Sequence, residues 1–431
     1  MQPSHRVPDR SLLLLTYGQS NADGFIAGPR PDAALLADRR VLTTTRGTGL
    51  RGPAYLPDGS VKDAVGMFHR DGKRLSAADL GTFHPLAEHD HRNCSLLHVA
   101  GSILLDRLSY DRVYARVFAR GGARLVGKPA PNGVVTGIYR LADGSLSPIL
   151  EDLCASAQEM ASHARADGYI AEDAYILFIH GEADRTTPRQ DYLAAFFEAK
   201  SYVDDRLAAC GLRPKWLLTQ SAGTGAEANG NDWLSRQACL DIAGAAADNL
   251  EFLGPLYPYP LIDSVHHDAA AKMLIGELAA HAIESLESGL GWNPPMPMRW
   301  WCATESEVMI EVGCDDPLAI HPHADKFENL GFSLHSREKN RILGVELAGD
   351  RVIKVALEGP IKGPLRLDYA FRRREAGMRD ISSGFPFGGG SIRTTWAADS
   401  VLLPGQRMFM WLPGFRIEIA NGQTSGTIVE P

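Results

Sequence analysis

The sequence predicts an α/β protein in which a helix-covered parallel sheet is followed by an antiparallel β domain. Over residues 1–290, continuously apolar runs alternate with amphipathic helical stretches, as in the crossover units of a parallel sheet. Beyond residue 290 the hydrophobic period changes to two, and turn residues separate short runs that suit paired strands. Between these regions, residues 291–301 contain three prolines and three tryptophans, which suits a domain boundary.

The predicted strands of the first region are runs that are apolar without interruption. Residues 11–17 read SLLLLTY, and such a strand is typically buried on both faces of a sheet. Further runs of this kind lie at residues 112–118, 175–180, 215–220 and 250–254. We therefore expect a parallel sheet with residues 11–17 as a central strand.

Helices are predicted where apolar residues recur at spacings of three and four. One begins at Ser147-Pro148, because serine suits an N-cap and proline the first helical position. Another begins at Thr187-Pro188 with a capping-box pattern, and a last one spans about residues 268–287. Segment 28–93 is rich in Gly, Pro, Arg and His and has no regular pattern. Insertions of this kind usually lie over the active face of an α/β domain.

The second region is predicted to form short antiparallel strands. Apolar residues alternate on both sides of the turn Gly349-Asp350, which predicts a hairpin. The runs EVMIEV, PLRLDYAF, SIRTTW and RMFMWL add further strands with turns between them. We expect a separate, sandwich-like β domain over residues 291–431, beside an α/β domain over residues 1–290.

Composition and charge exclude several classes of protein. The chain has 431 residues, of which 45% are hydrophobic and 22% charged, as in globular proteins rather than disordered or fibrous ones. Its formal net charge of −8 makes nucleic acid and anionic membrane surfaces poor partners. No run approaches the ~20 apolar residues of a membrane span. The apolar run Leu12–Leu15 is too short for a signal-peptide core, so a cytoplasmic location is expected unless a longer precursor or an unusual export route exists.

Cofactor and metal sites have little support in the sequence. The six cysteines form no CxxC pair, which favours scattered thiols over a disulfide framework. A GxGxxG match at residues 47–52 is followed by Pro53 instead of a helix, so we expect no dinucleotide site. Segment 84–93 contains possible metal ligands: His84, Glu88, His89, Asp90 and His91. Loops this polar are more often solvated or substrate-lining, so we expect no metal. A metal-dependent hydrolase that uses these ligands is an alternative.

Two polar blocks suit a serine nucleophile and its base. Gly18-Gln19-Ser20-Asn21 directly follows the first strand, where open α/β sheets place their ligands. Asp263-Ser264-Val265-His266 precedes the last helix. Serine is a poor nucleophile unless a base takes its proton, and a carboxylate orients that base. Taken singly, the blocks are more commonly explained by a helix-capping serine and a surface histidine, whereas the order Ser, Asp, His is more specific.

Two further blocks suit the stabilisation of negative charge. His180-Gly181-Glu182-Ala183-Asp184 begins at the end of strand 175–180, where polar groups can face a developing oxyanion. Gly121-Gly122 comes soon after strand 112–118, and glycine lets a backbone N–H approach a substrate oxygen closely. A tight turn alone would explain these glycines equally well.

Together the blocks resemble the SGNH hydrolases, and within them the sialate O-acetylesterase-like carbohydrate esterases. GQSN, GG, HGExD in place of the family's QGExD, and DxxH occur in the family's order within residues 11–287. The resemblance implies a flavodoxin-like three-layer α/β/α fold. It also implies Ser20 as nucleophile, His266 as general base and Asp263 as the carboxylate that orients it, with no cofactor.

The resemblance further implies an oxyanion hole formed by the N–H of Ser20 and a backbone N–H of Gly121 or Gly122. His180 stands where the family has a glutamine, and the single N–H of a neutral imidazole could replace the amide donor. The residues expected to hold the catalytic residues in position, without contacting the substrate, are Gln19, Asn21, Glu182 and Asp184.

The expected function is that of a serine esterase that removes O-acyl groups, in the first place O-acetyl, from a carbohydrate. The expected partner is the acylated carbohydrate, and segments 28–93 and 292–301 are candidate walls for it. The β domain could bind glycan, cover the cleft or form an oligomer. The alternative function is that of a non-catalytic carbohydrate-binding or structural protein, which the histidine at position 180 favours.

Overall fold

The structure is a computed structural model that describes residues 9–22, 38–44, 83–86, 96–130, 133–222, 233–245, 247–262, 265–322, 328–336, 339–371 and 389–429. The chain forms two compact units. The first consists of Met1–Ala183, Ala194–Leu217 and Ile275–Leu290, and the second of Asp184–Leu193, Leu218–Leu274 and Gly291–Pro431. The second unit thus combines the expected β domain with two segments of the α/β region.

The described part of the α/β region contains these elements in chain order: β1 (Arg10–Gly18), β2 (Val41–Thr44), β3 (Phe83–Pro85), α1 (Leu96–Arg107), β4 (Arg112–Ala119), β5 (Arg124–Val126), β6 (Lys128–Ala130), β7 (Gly133–Val135), β8 (Gly137–Arg140), α2 (Pro148–Ala166), β9 (Ile170–Ile179), α3 (Arg189–Ala208), β10 (Arg213–Gln220), α4 (Leu234–Gly244), β11 (Leu250–Pro255) and α5 (Ala269–Glu287). Most of these elements lie in the first unit. Helix α4 and strand β11 belong to the second unit, and α3, β10 and α5 each have residues in both.

A mostly parallel sheet forms the centre of the first unit, with strand order β10-β9-β1-β4-β2-β3. Strand β1 pairs in parallel with β4 and β9, β2 pairs in parallel with β4, and β3 is antiparallel to β2. In the second unit, β11 lies next to the last residues of β10. With β1, β4, β9 and β10 counted as strands 1 to 4, the order in the first unit is 2-1-3-4, as at the start of flavodoxin-like sheets. The predicted α/β fold class is confirmed.

The structure shows the burial and the helix cap that two of the sequence patterns predicted. The side chains of Leu12–Leu15 are 0% exposed, as expected for an uninterrupted apolar run in a central strand. Ser147 caps α2 by accepting a hydrogen bond from Ile149 N at 3.3 Å, with Pro148 at the first helical position. Both predictions are confirmed.

The β region continues with β12 (Met296–Thr304), β13 (Glu307–Gly313), β14 (Leu318–Ile320), β15 (Phe332–Ser336), β16 (Ile342–Leu347), β17 (Val352–Leu357), β18 (Leu365–Tyr369), β19 (Ile392–Asp399), β20 (Arg407–Trp411), β21 (Phe415–Ile419) and β22 (Ser425–Thr427). They form three antiparallel sheets with the orders β16-β17-β13-β12-β22, β14-β19-β20 and β15-β18-β21. The predicted hairpin is confirmed, because β16 pairs with β17 across Gly349-Asp350.

The core of the second unit combines both regions of the sequence. Its buried members include Val308, Ile353 and Phe415 from the β strands, together with Leu240 of α4 and Tyr257 after β11. This cluster explains why α4 and β11 belong to the same compact unit as the antiparallel sheets.

Two helices, α1 and α4, were not predicted from the sequence. Helix α1 is buried along most of its length, so its sequence lacks the polar face that marks an amphipathic helix. Helix α4 begins after Trp233, which has a left-handed backbone conformation and makes no side-chain cap. Within the described ranges, no helix is long and apolar enough to cross a membrane. The cysteines that the structure describes are all free thiols.

Candidate active site

The candidate site begins where three neighbouring strands end at the same level. Gly18, the last residue of β1, pairs with Ala119 of β4 on one side and with Ile179 of β9 on the other. Ser20 and His180 therefore follow their strands at one edge of the sheet, as does the Gly121-Gly122 turn. This edge is where open α/β sheets bind their ligands.

Gly18 allows the end of β1 to lie directly against β9. A Cβ atom on Gly18 would come within 2.0 Å of the Ile179 carbonyl oxygen, a distance that no side chain tolerates. The next amide, Gln19 N–H, donates to that same oxygen at 3.2 Å. The chain then turns at once, because Ala22 N–H donates to the Gln19 carbonyl at 2.9 Å. This turn contains Ser20, whose side chain is half-buried.

The Gly121-Gly122 turn lies beside Ser20. A Cβ atom placed on Gly121 would be 3.8 Å from the Ser20 Cβ, so the backbone of this turn is close to the serine. Gly122 has a φ of +71°, a left-handed conformation that favours glycine. Arg120 N–H donates to Gly18 O at 3.3 Å, and Ala123 N–H donates back to Arg120 O at 3.1 Å. The structure thus brings Ser20 and the predicted glycines together, while their roles stay predictions.

Buried hydrogen bonds join the Ser20 turn to the segment after β9. Asn21 Nδ2 donates to Glu182 Oε1 at 2.8 Å, and both side chains are buried. Gln19 Oε1 accepts a hydrogen bond from Ala183 N at 3.0 Å. These hydrogen bonds of the residues on either side of Ser20 hold the turn in place, while the supporting role in catalysis stays a prediction.

His180 is buried against the glycine turn. Its Nε2 lies 3.1 Å from the Ala123 carbonyl oxygen, and its ring stacks on Phe178 with the centroids 5.7 Å apart. A carbonyl oxygen only accepts, so Nε2 carries the proton of this hydrogen bond. In a neutral imidazole that is the single N–H, and here it binds the turn. The predicted donation from His180 to an oxyanion stays a prediction.

Ala123 was missed from the sequence. Its contribution is a backbone carbonyl, and no residue type signals such a group. Asp184 was expected to support the site. In the second unit its Oδ1 accepts from the Thr187 hydroxyl at 2.6 Å, and Thr187 N–H donates to Asp184 O at 2.9 Å. These two hydrogen bonds, made by the buried Asp184 and the half-buried Thr187, fix the turn that leads into α3.

His266 belongs to the second unit, just before α5. Its half-buried side chain differs from that of His267, which is 1% exposed and lies with Nδ1 3.1 Å from the Pro260 carbonyl oxygen. Of the two adjacent histidines, His267 is therefore the one held by a structural hydrogen bond. Asp268 caps the start of α5 by accepting from Ala271 N at 2.8 Å. Asp263 and Ser264 lie outside the described residues, so the triad as a whole stays a prediction.

The metal alternative rests largely on residues outside the described ranges. Of the segment 84–93, the structure describes His84 to Leu86, and His84 lies in β3. Glu88, His89, Asp90 and His91 are among the residues not described, as is the GxGxxG match at 47–52. Among the residues that are described, no group of three or more His, Cys, Asp or Glu side chains could hold a metal ion.

Comparison with known proteins identifies similar structures. No family model and no curated protein sequence matches the chain. A crystal structure of NanS has 14% identity and a TM-score of 0.45, covering 65% of this chain and 99% of that one. A protein from Arabidopsis thaliana has 16% identity and a TM-score of 0.39, covering 64% and 99%. A family two carbohydrate esterase from Clostridium thermocellum, in complex with cellohexaose, has 11% identity and a TM-score of 0.31, covering 66% of each. Values this low assign neither an activity nor a substrate to this chain.

Proposed function

We propose that this chain is a serine esterase that hydrolyses O-acyl esters, in the first place O-acetyl esters, of a carbohydrate. The observation that carries the proposal is the placement of Ser20. It lies in a turn directly after a buried central strand, and the backbone of Gly121 lies close beside it. A nucleophile needs such a fixed position, with backbone amides near the atom that becomes negatively charged.

The proposed reaction has two stages that share one base. Ser20 Oγ attacks the ester carbonyl carbon while His266, oriented by Asp263, takes the hydroxyl proton. The tetrahedral intermediate collapses, the C–O bond to the sugar breaks, and His266 gives its proton to the leaving sugar oxygen. Water then attacks the acyl-enzyme with His266 again as base, which releases the carboxylic acid and restores Ser20.

The proposed oxyanion hole uses backbone N–H groups of Ser20 and of the Gly121-Gly122 turn. Preorganised donors at this position are worth about 10²–10³ in kcat each. The hydrogen bond from His180 to Ala123 O supports the turn that carries the second donor. In this arrangement His180 acts by holding the turn. A direct hydrogen bond from His180 to the oxyanion would need a second N–H on the imidazole ring.

The substrate class follows from the motif resemblance. The blocks GQSN, GG, HGExD and DxxH resemble those of carbohydrate esterases that act on O-acetyl groups. An ester of a neutral sugar also suits a chain with a net charge of −8, which would repel a polyanion.

Turnover of p-nitrophenyl acetate by the wild type and the Ser20→Ala variant tests the nucleophile. We expect kcat/KM to fall by about 10⁴-fold or more, because serine is replaced by a group that forms no acyl-enzyme. The matched control is Ser201→Ala, an exposed serine on α3, which should keep wild-type kinetics. Undiminished turnover by Ser20→Ala would overturn the assignment.

A second function is favoured by one observation at position 180. The N–H of a neutral His180 ring is bound to Ala123, whereas the resembled family has an amide donor there. A non-catalytic carbohydrate-binding protein could have this arrangement. A fluorophosphonate probe separates the two functions, because an activated serine is labelled and an inert one is not. Labelling of the wild type but not of Ser20→Ala is expected for the esterase.

A further inference from the structure

The second unit contains a cavity of about 830 Å³ that has no part in the proposed esterase reaction. One wall is a single face of α4, where Leu234, Gln237, Asp241 and Gly244 recur at spacings of three and four. Most of the remaining lining comes from the start of α3 and from strands β12, β21 and β22. Small-molecule sites typically enclose about 300–1,000 Å³, so this cavity has the size of a ligand site.

A buried amide in this cavity lacks a partner. The side chain of Gln237 is 93% buried, since the residue is 7% exposed, and it lines the cavity. Its Nε2 has no hydrogen-bond partner within the part of the chain that the structure describes. An unsatisfied buried amide costs about 1–3 kcal/mol. This nitrogen is itself enclosed by protein, so the Gln237 side chain has to rotate toward the cavity, where a ligand oxygen would give it the acceptor it lacks.

The charges around the cavity are balanced. Arg189 donates two hydrogen bonds to Asp241, from Nε and from Nη2. Arg416 donates to Asp368 Oδ1 at 2.7 Å, and Asp368 is 0% exposed. Both arginines of the lining are therefore bound to carboxylates, and the exposed Glu418 adds a negative charge. An anionic ligand would have to compete with these ion pairs, whereas a neutral one would not.

The remaining lining combines hydrogen-bonding groups with aliphatic surface. Gln190 and Thr427 are exposed and offer an amide and a hydroxyl, while Leu193, Ile417 and Ile428 offer aliphatic side chains. A sugar ring matches this combination, because its hydroxyls both donate and accept and its C–H faces are apolar. Charged metabolites and wholly apolar molecules match only one part of it.

We propose that this cavity binds a short neutral oligosaccharide, with Gln237 donating to a hydroxyl or ring oxygen. The site is independent of Ser20 and binds sugar whether or not it is acylated. It would give the protein a second contact with a glycan, apart from the one at which an ester is cleaved.

Isothermal titration calorimetry of the full chain tests the proposal, with cellotetraose and xylotetraose as neutral probes and tetragalacturonic acid as an anionic one. Gln237→Leu keeps the size of the side chain and removes the amide, and Ala245→Phe fills the cavity from the end of α4. Gln158→Leu, at an exposed position of α2, is the matched control. Thermal unfolding midpoints close to that of the wild type establish that the variants are folded.

We expect saturable binding of at least one neutral probe by the wild type and by Gln158→Leu. Gln237→Leu should weaken it ~10-fold, which corresponds to about 1.4 kcal/mol, and Ala245→Phe should abolish it. No saturable binding of either neutral probe would overturn the proposal, as would binding that both cavity variants leave unchanged. Tighter binding of the anionic probe would overturn the neutral class. None of these probes contains an ester and Ser20→Ala should bind them like the wild type, so failure of the esterase assignment would leave these outcomes unaffected.

Discussion

At the scale of single residues, His180 makes a contact that the motif alone does not reveal. The resembled pattern has an amide at this position, and here a buried imidazole donates to Ala123 O at 3.1 Å. That carbonyl belongs to the residue after Gly121-Gly122. We infer that the histidine holds the turn whose backbone N–H is proposed to bind the oxyanion.

Replacing His180 with Phe tests this role. Phenylalanine can keep the contact with Phe178 but has no N–H, so Ala123 O loses its donor. We expect kcat for p-nitrophenyl acetate to fall about 10–100-fold, somewhat less than for loss of an oxyanion donor itself. His180→Gln, which restores an amide donor, should retain most of the activity. Wild-type kcat in His180→Phe would contradict the role.

Ser20, the glycines and His266 could be proposed from the sequence because residue type and spacing mark them, and their roles stay predictions. The sequence could not predict the hydrogen bond from His180 to Ala123, since a backbone acceptor has no signature. Nor could it predict that the adjacent His266 and His267 differ in burial and in the contact with Pro260 O. Burial of this kind is set by packing between distant segments and not by local sequence.

At the scale of elements, the close approach of β1 and β9 positions the turn that contains Ser20. The two strands are in parallel register up to Gly18 and Ile179, and the next turn starts from a hydrogen bond to Ile179 O. A side chain at position 18 would separate the strands at the point where Ser20 is placed.

Gly18→Ala should therefore be both destabilising and inactivating. The new Cβ would be 2.0 Å from the Ile179 carbonyl oxygen, so the backbone must move. We expect the free energy of unfolding to fall by about 3 kcal/mol or more, with loss of esterase activity. Gly344→Ala on β16 is the control, because a Cβ there meets nothing within 4 Å. Urea unfolding followed by circular dichroism measures both variants, and equal stabilities would refute the prediction.

A cluster of hydrogen-bonded polar side chains lies at the C-terminal end of α5. Glu287 Oε1 accepts hydrogen bonds from Lys215 Nζ and from the Tyr175 hydroxyl, each at 2.7 Å. Burial by itself would raise the pKa of Glu287, but these hydrogen bonds and the Lys215 charge outweigh it and lower that pKa below its ordinary value. The same surroundings raise the pKa of Tyr175, first through burial and then through the hydrogen bond to Glu287.

The lowered pKa of Glu287 makes stability depend on pH in a defined direction. A carboxyl whose pKa is lower in the folded state stabilises the fold above its unfolded pKa, ~4.3, and loses that contribution as pH falls through the folded pKa. Glu287→Gln should cost about 1–3 kcal/mol at pH 7. The difference from the wild type should shrink as the pH falls below 4.3. Urea unfolding at pH 7, 5, 4 and 3 measures it, and a difference that grows on acidification would contradict the prediction.

At the scale of the whole molecule, the sequence predicted the class of each region, while the compact units are divided differently. The hydrophobic period and the turn residues correctly predicted a parallel sheet followed by antiparallel strands. They carry no information about which segments share a core. Leu240 and Tyr257, from the α/β region, pack with Trp300 and Phe415 from the β region. Such long-range packing is invisible to local periodicity.

Polar contacts inside the second unit join the same two regions. Gln220 Nε2 donates to Gly414 O and Gly414 N donates to Gln220 Oε1, each at 2.8 Å. Arg236 Nη1 donates to Ala370 O at 3.0 Å, and burial lowers the pKa of this arginine to about 10. A buried cation held by a backbone carbonyl is costly to leave without that acceptor.

A chain shortened to residues 1–290 should therefore not fold as an independent domain. It would lose the partners of Gln220 and Arg236 and uncover Leu240 and Tyr257. We expect loss of the cooperative thermal transition, or a midpoint at least ~10 °C lower, because several buried groups lose partners at once. Differential scanning calorimetry of both chains measures it. A shortened chain with the midpoint of the full chain would show that residues 1–290 are self-sufficient.

The central claim is that Ser20 is the nucleophile of a carbohydrate esterase, and the most direct measurement is acetate release from acetylated glycans. A panel of glycans that differ in sugar and acetyl position is incubated with the wild type, Ser20→Ala and Ser201→Ala. We predict acetate release from at least one glycan by the wild type and by Ser201→Ala, and none above background by Ser20→Ala. Equal release by Ser20→Ala, or no release from any glycan by the wild type, would contradict the claim.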